Sequence, residues 1–297
     1  MTYENFLASV TQKVQEGLGQ EYRVLLHHVL KNNNTSMDGL SILKEGENAS
    51  PTIYLNEFYN ELLNGVEISE IAEKVIKIYE IHCKKVEFNI EEFKDYERIK
   101  EKLAVKLVNY EENRMMLKEL PYRRFLDLAV ICYVLVGKVG MDAASILVRQ
   151  EFRKMWKVSE EELFFQAINN AQQILPPELK SMDILMRETM PKEESFLEEV
   201  QEGEVPMYVL TNTSHFNGAA AMLYTDVISD FAERMKADIY ILPSSIHEVI
   251  LIPKSSAIEK TVLEQMVREV NAEEVEQMEQ LSNCVYCYQR ENRSICL

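Results

Sequence analysis

The densest group of chemically capable side chains in this 297-residue sequence is the run Ser244-Ser245-Ile246-His247-Glu248. A hydroxyl nucleophile needs a base within hydrogen-bond reach, and that base usually comes from another part of the fold. The run therefore predicts a turn in which serine hydroxyls satisfy backbone groups and His247 ties the turn to the next strand. The alternative is a hydrolase that uses Ser245 and His247 with a distant acid such as Asp127.

Other polar side chains lie in apolar surroundings. Asp127 is inside the apolar strand predicted over 125–136. A carboxylate there is either a buried, hydrogen-bonded acid or a ligand contact, and the structural role is favoured. The adjacent pairs His27-His28 and His82-Cys83 are also interpreted as structural, because neighbours in a regular element point apart.

The motif Cys284-Val-Tyr-Cys287 has the C-x-x-C spacing of zinc knuckles and redox dithiols. In a strand, however, residues three positions apart point to opposite faces, and the sequence has no second C-x-x-C motif. We expect ordinary buried thiols at these positions and no metal site.

Missing motifs and the net charge argue against cofactors and nucleic acids. Neither of the nucleotide-binding motifs G-x-G-x-x-G and G-x-x-x-x-G-K-[ST] occurs, so we expect no cofactor. The chain has 32 Lys and Arg against 49 Asp and Glu, and its formal net charge of −17 repels phosphate backbones. We therefore expect no nucleic-acid partner.

Location is predicted from the N-terminus and from the apolar runs. The chain begins without a basic region followed by an unbroken apolar stretch. Its longest apolar run, 126–136, is shorter than the roughly 20 residues that a membrane-spanning helix needs. Five cysteines do not form the dense framework of a small secreted scaffold. We expect a cytoplasmic protein with no membrane partner.

The elements that must position these groups follow from periodicity and capping signals. In the first third, helices are predicted over 3–18 and 68–83, with strands in the runs 22–30, 40–43 and 52–55. Asn56 is predicted to cap a short helix, and Asn89 with Glu92 to open a helix through Leu103.

Further along, the runs 105–109 and 125–136 predict strands, and Ser159 with Glu162 predicts the start of a helix. Asn217-Gly218 predicts a tight hairpin between strands 207–212 and 219–224. Helices are predicted over 227–235 and 258–270, and strands over 239–242, 248–252 and 285–288.

These elements predict an α+β fold: a small N-terminal α+β unit joined to a larger α+β body with a mainly antiparallel sheet. The predicted domains are 1–88 and 89–297, with an acidic connector near 191–204 in the second.

Several segments resemble an uncharacterised family of bacterial proteins from Gram-positive gut anaerobes, and the resemblance covers nearly the whole chain. They are GLSI (39–42), SPTIYL (50–55), LVNYEEN (107–113), FLDLAV (125–130), MWKVSEEEL (155–163) and LPSSIHEVI (242–250). The resemblance implies a cytoplasmic bacterial protein and offers Asn109, Asp127, Ser245 and His247 as motif positions without assigned roles.

The sequence favours a non-enzymatic binding or regulatory module that recognises a protein or a small ligand through its sheet surface. The hydrolase with Ser245, His247 and Asp127 is the alternative. An enzyme of that kind should bring the three side chains together in one cleft. The sequence does not determine the partner or the oligomeric state.

Overall fold

The computed structural model describes residues 1–46, 50–83, 89–139, 142–189, 205–254 and 258–297. The chain packs as two compact units. The smaller unit comprises Met1–Ile99 and Val134–Ile146, and the larger unit comprises Lys100–Tyr133 and Leu147–Leu297.

The smaller unit packs helices on a three-stranded antiparallel sheet with the strand order β1-β2-β3. Its elements are α1 (Tyr3–Leu18), β1 (Tyr22–Leu30), β2 (Ser36–Lys44), β3 (Thr52–Tyr54), α2 (Asn56–Leu63), α3 (Ile68–His82), α4 (Ile90–Lys94) and α5 (Tyr96–Ile99). The apolar stripes of α1 and α3 meet the sheet in one core, which includes Phe6, Val10, Leu40, Ile42 and Val75.

The larger unit contains most of the remaining elements. In its first part these are β4 (Leu103–Asn109), α6 (Arg114–Leu117), β5 (Tyr122–Phe125), α7 (Gln150–Trp156) and α8 (Glu160–Ile174). Two strands, β6 (Leu128–Val139) and β7 (Asp142–Leu147), have residues in both units. The later elements are β8 (Pro177–Ser181), α9 (Met182–Thr189), β9 (Tyr208–Asn212), α10 (Thr225–Met235), β10 (Ile239–Pro243), β11 (Val249–Pro253), α11 (Lys260–Glu273), β12 (Tyr286–Gln289) and β13 (Ser294–Cys296).

The larger unit contains a sheet with the order β13-β12-β10-β11-β9-β8. A further sheet has the order β4-β6-β5, with β7 paired to β6. The central strand β10 is buried at every residue, because it is apolar on both faces. Leu263 and Val267 of α11 cover one of those faces at Tyr240 and Leu242. Burial of apolar surface stabilises such a layer by roughly 25 cal/mol per Å².

The predicted α+β fold with mainly antiparallel strands is confirmed. The helix predicted over 3–18 has those bounds, and α3 agrees with the helix predicted from residue 68. The capping signal before α8 is also confirmed, since Ser159 Oγ accepts a hydrogen bond from Glu162 N at 3.1 Å.

The hairpin predicted at Asn217-Gly218 is wrong. Residues 218–223 form a 3₁₀ helix instead of a strand, and Asn217 is left-handed with φ 52°. The segment Gly-Ala-Ala-Ala-Met-Leu contains no β-branched side chain, and small residues do not favour a strand.

The continuous strand predicted over 125–136 is also wrong. A turn at Leu126 and Asp127 divides it into β5 and β6, which pair antiparallel. Leu126 has φ 57°, and Asp127 is a residue that turns favour.

Two helix-start predictions need correction. Asn56 does not cap α2, because its Oδ1 accepts the backbone N–H of Asp38 at 3.0 Å. Asn89 does cap α4, but that helix ends at Lys94 and Leu103 begins a strand. The break follows from the extended conformation of Asp95, whose carboxylate caps the next turn at Glu97 N.

The predicted domain boundary at 88–89 and the acidic connector near 191–204 fall at or inside segments outside the described residues. Those segments are 84–88 and 190–204.

Candidate functional site

The serines of the run 244–248 satisfy the turn between β10 and β11. Ser245 Oγ accepts the backbone N–H of His247 at 3.0 Å, and Ser244 Oγ donates to Glu248 Oε1 at 3.2 Å. The backbone N–H of Ser245 also donates to the carbonyl oxygen of Glu248 at 3.2 Å. Both hydroxyls therefore serve the local fold, as the sequence pattern indicates.

The imidazole of His247 braces this turn against two other segments. Its Nδ1 accepts the backbone N–H of Asn217 at 3.2 Å, and its Nε2 lies 3.7 Å from Glu279 Oε1. A neutral imidazole has one donor and one acceptor nitrogen, so an accepting Nδ1 leaves the proton on Nε2, facing Glu279. In this arrangement neither nitrogen is free to take a proton from Ser245.

The brace depends on a close approach of backbones at Gly218. A Cβ at this position would collide with Thr211 Oγ1 and with the carbonyl oxygen of His247. Thr211 Oγ1 donates to that same carbonyl at 2.8 Å, so the threonine, the glycine and the histidine form one packed contact.

Asp127 belongs to a different hydrogen-bonded group. Its Oδ2 accepts the hydroxyl of Ser282 at 2.6 Å, and its Oδ1 accepts the hydroxyl of Tyr286 at 2.8 Å. Burial, and then the negative charge of Asp127, raise the pKa of Tyr286. The same two causes raise the pKa of the Cys284 thiol. Asp127 is half-buried, and each of its carboxylate oxygens accepts a hydrogen bond from a buried hydroxyl.

The three residues of the hydrolase hypothesis are thus placed in two groups. Ser245 and His247 share one turn, where the serine contacts the histidine backbone and not its ring. Among the described residues, no hydrogen bond or ion pair joins Asp127 to Ser245 or His247.

Strand register, and not the C-x-x-C spacing, places two free cysteines opposite each other. Cys287 of β12 lies opposite Cys296 of β13, and the Cys296 thiol donates to the Cys287 carbonyl at 3.4 Å. Within the part of the chain that the structure describes, no three His, Cys, Asp or Glu side chains gather as a metal ion would require.

The smaller unit contains a group that the sequence reasoning missed. His28 Nδ1 lies 2.9 Å from Asp38 Oδ1, and His28 Nε2 lies 2.7 Å from Ser36 Oγ. The tyrosine hydroxyl of Tyr3 donates to Asp38 Oδ2 at 3.0 Å. The signal available in the sequence was the register of the β1–β2 hairpin, which brings residues from both strands together.

A shallow groove of about 650 Å³ runs along α8 in the larger unit. It is lined by Arg123, Ser159, Glu161, Glu162, Phe165, Ile168 and Asn169. Phe165 is 69% exposed, whereas its neighbour Phe164 is fully buried in the core. The groove thus combines an exposed aromatic ring with a rim of two carboxylates.

Among the described residues, every helix is too short or too polar to span a bilayer.

Comparison with known proteins identifies a family. No curated protein matches the chain, and no solved structure does. The model of a family of unknown function, DUF5688, matches residues 3–290, and the chain therefore belongs to that family.

Proposed function

We propose that the larger unit is a non-enzymatic binding module that holds a basic, apolar segment of a partner protein in the α8 groove. The observation that carries this proposal is the exposed ring of Phe165 beside Ile168. The opposite face of α8 buries Leu163, Phe164 and Ala167, so the core does not require Phe165. Exposed apolar groups in a groove with a polar rim are typical of interaction sites.

Charge defines the chemistry of the partner. The chain has a net charge of −17, and Glu161 and Glu162 stand exposed at the rim of the groove. Arg123, a cation of the lining, lies with its guanidinium 4.7 Å from the centre of the Phe164 ring. A segment with Lys or Arg next to an apolar side chain complements this surface.

The proposal uses a helix, whereas the sequence favours a sheet surface. Every residue of the strand β10 is buried, so this strand offers no surface to a partner. The groove on α8 offers the exposed aromatic side chain that such a contact uses as an anchor.

The hydrolase alternative with Ser245, His247 and Asp127 has weaker support. Both nitrogens of His247 have partners in the brace, and Asp127 accepts bonds from Ser282 and Tyr286. These contacts support structural roles for the three residues. We also propose a bacterial cytoplasmic location, for which the support is the sequence pattern alone.

A pair of labelled peptides tests the binding proposal by fluorescence anisotropy. One peptide combines Lys with Leu and Phe, and its counterpart has Glu in place of Lys. We expect the basic peptide to bind the wild-type chain, and Phe165→Ser to weaken binding at least about tenfold. Met115→Ser is the matched control, because Met115 is also exposed in the larger unit but lies outside the groove.

Three results would overturn the proposal. The first is equal binding of both peptides, and the second is equal affinity of wild type and Phe165→Ser. The third is a loss of self-association in Phe165→Ser by light scattering, which would identify a second copy of the chain as the occupant.

A further inference from the structure

A continuous chain of hydrogen bonds in the smaller unit joins an acid, an imidazole and a hydroxyl. Asp38 Oδ1 and His28 Nδ1 are 2.9 Å apart, and His28 Nε2 and Ser36 Oγ are 2.7 Å apart. Both distances lie within the range of roughly 2.6–3.2 Å expected between a nucleophile, its base and the group that orients the base.

Strand register explains why these side chains meet. His28 of β1 is directly opposite Asp38 of β2, and Ser36 is the diagonal neighbour two residues earlier. The backbone groups of Asp38 face away from β1, since its N–H donates to Asn56 and its carbonyl accepts Leu55 N–H. His28 and Asp38 are therefore a non-hydrogen-bonded pair, in which the side chains approach most closely.

The partners fix the direction of proton movement. A carboxylate only accepts, so Asp38 selects the ring tautomer with the proton on Nδ1. The other ring nitrogen, Nε2, then accepts the hydroxyl proton of Ser36. The hydroxyl of Tyr3 holds the second carboxylate oxygen at 3.0 Å and keeps Asp38 in place.

The surroundings leave room for a substrate. The side chain of His28 is 71% exposed, and Ser36 is exposed. Successive backbone groups of a strand point to alternate edges, so the N–H of Ser36 points to the same edge of β2 as the N–H of Asp38. On this edge β3 pairs with Gly39–Ser41 and does not reach Ser36. That N–H is placed to donate to an oxyanion formed beside its own hydroxyl.

Two apolar side chains flank the imidazole on the same face. Leu26 and Leu30 precede and follow His28 by two residues, and each is 42% exposed. Leu30 is directly opposite Ser36 in the register. A short acyl chain bound to Ser36 would lie against Leu30.

We propose that Ser36 and His28 form an esterase site for short-chain carboxylic esters, with Asp38 and Tyr3 as positioning residues. The proposal concerns the smaller unit and does not involve the α8 groove.

The reaction needs only ester and water. Ser36 Oγ attacks the carbonyl carbon while His28 Nε2 takes the hydroxyl proton, and the bond to the leaving oxygen breaks as that proton passes to the alcohol. Water then attacks the acyl-serine while Nε2 takes a proton from it. The acid leaves, and the proton returns to Ser36.

Labelling and hydrolysis by the full chain test the proposal. We expect a fluorophosphonate to form one adduct, which peptide mapping places on Ser36, and the chain to hydrolyse p-nitrophenyl butyrate. Ser36→Ala should abolish both, and His28→Ala should lower kcat at least about 100-fold, with partial rescue by added imidazole. Asp38→Asn should lower kcat with little change in KM. Ser245→Ala is the matched control and should keep the wild-type rate.

Leu30→Ala sharpens the substrate class. Its ratio of butyrate to acetate hydrolysis should fall by roughly threefold to tenfold, because the acyl chain loses its apolar contact. The proposal would be overturned if no adduct forms or if the adduct lies on another residue. It would also be overturned if Ser36→Ala hydrolyses the ester at the wild-type rate while its melting temperature equals that of the wild type.

Discussion

Two aspartates in this protein accept the same kind of hydrogen bond and yet support different arrangements. Asp38 accepts the hydroxyl of Tyr3, and Asp127 accepts the hydroxyl of Tyr286. The second oxygen of Asp38 faces the exposed His28, whereas that of Asp127 faces the buried Ser282.

The two histidines show the same contrast. His28 uses one nitrogen for a carboxylate and the other for a serine hydroxyl. His247 uses Nδ1 for a backbone N–H, and its neighbouring serine contacts only its backbone. The consecutive residues of the turn 244–248 thus stabilise the fold. His28, Ser36 and Asp38 lie on two strands, and their register forms a chain of hydrogen bonds along which a proton can move.

Asp127→Ala should show the largest loss of stability. It leaves the hydroxyls of Ser282 and Tyr286 buried without an acceptor, at about 1–3 kcal/mol for each. Urea unfolding of the larger unit measures the change, and Asp38→Ala is the control. An equal loss in both variants would remove the contrast between the two aspartates.

Gly218→Ala should follow, with a loss of about 2–3 kcal/mol. The added methyl group overlaps Thr211 Oγ1 and the His247 carbonyl, and the backbones must separate. Gly46→Ala, where a Cβ meets nothing within 4 Å, should cost only about 1 kcal/mol from its positive φ. Thermal melts compare the two, and a smaller effect at Gly218 would argue against the packed contact.

Alkaline pH should weaken the larger unit through its buried tyrosines. Burial raises the pKa of Tyr133 from 10.0 to about 12, and burial with Asp127 raises the pKa of Tyr286. The unfolded chain releases these protons first. The stability they contribute is therefore complete below pH 10, and the Tyr133 share is lost as pH rises to about 12.

The variant Tyr286→Phe isolates one of these protons. Its free energy of unfolding should fall less steeply above pH 10, by up to about 1.4 kcal/mol per pH unit relative to wild type. Urea titrations at several pH values give the slopes. Parallel slopes for the two proteins would contradict the raised pKa of Tyr286.

Tyr3→Phe should have the smallest effect, about 1 kcal/mol of stability for one hydrogen bond to Asp38. If Tyr3 positions the carboxylate, kcat for p-nitrophenyl butyrate should fall a few-fold while KM stays constant. Tyr59→Phe is the control, because its hydroxyl donates to the Met1 carbonyl and does not contact Asp38.

Sequence patterns were sufficient where one local cause dominates. The 3.6-residue stripe of α1 and the Ser159 cap of α8 follow from neighbouring residues, and the structure has both. The Asn217-Gly218 dipeptide misled because tertiary packing against Thr211 requires the glycine there, and no hairpin forms.

The candidate site was harder to predict for the same physical reason. Ser244 to Glu248 attract attention because they are consecutive, but chemistry depends on side chains that meet in space. His28, Ser36 and Asp38 lie on two strands, and only the pairing of His28 with Asp38 reveals them. The argument that adjacent side chains point apart correctly separates His27 from His28, but it says nothing about the residues opposite His28 on the next strand.

A paired measurement on His28→Ala and His247→Ala tests the central claim that one histidine serves reaction and the other serves the fold. We expect His28→Ala to lose at least about 100-fold in hydrolysis of p-nitrophenyl butyrate, with a melting temperature near that of wild type. We expect His247→Ala to keep the wild-type rate and to lose about 1–3 kcal/mol of stability, because Asn217 N–H loses its acceptor. Loss of hydrolysis in His247→Ala with unchanged melting, or full activity in His28→Ala, would contradict the account.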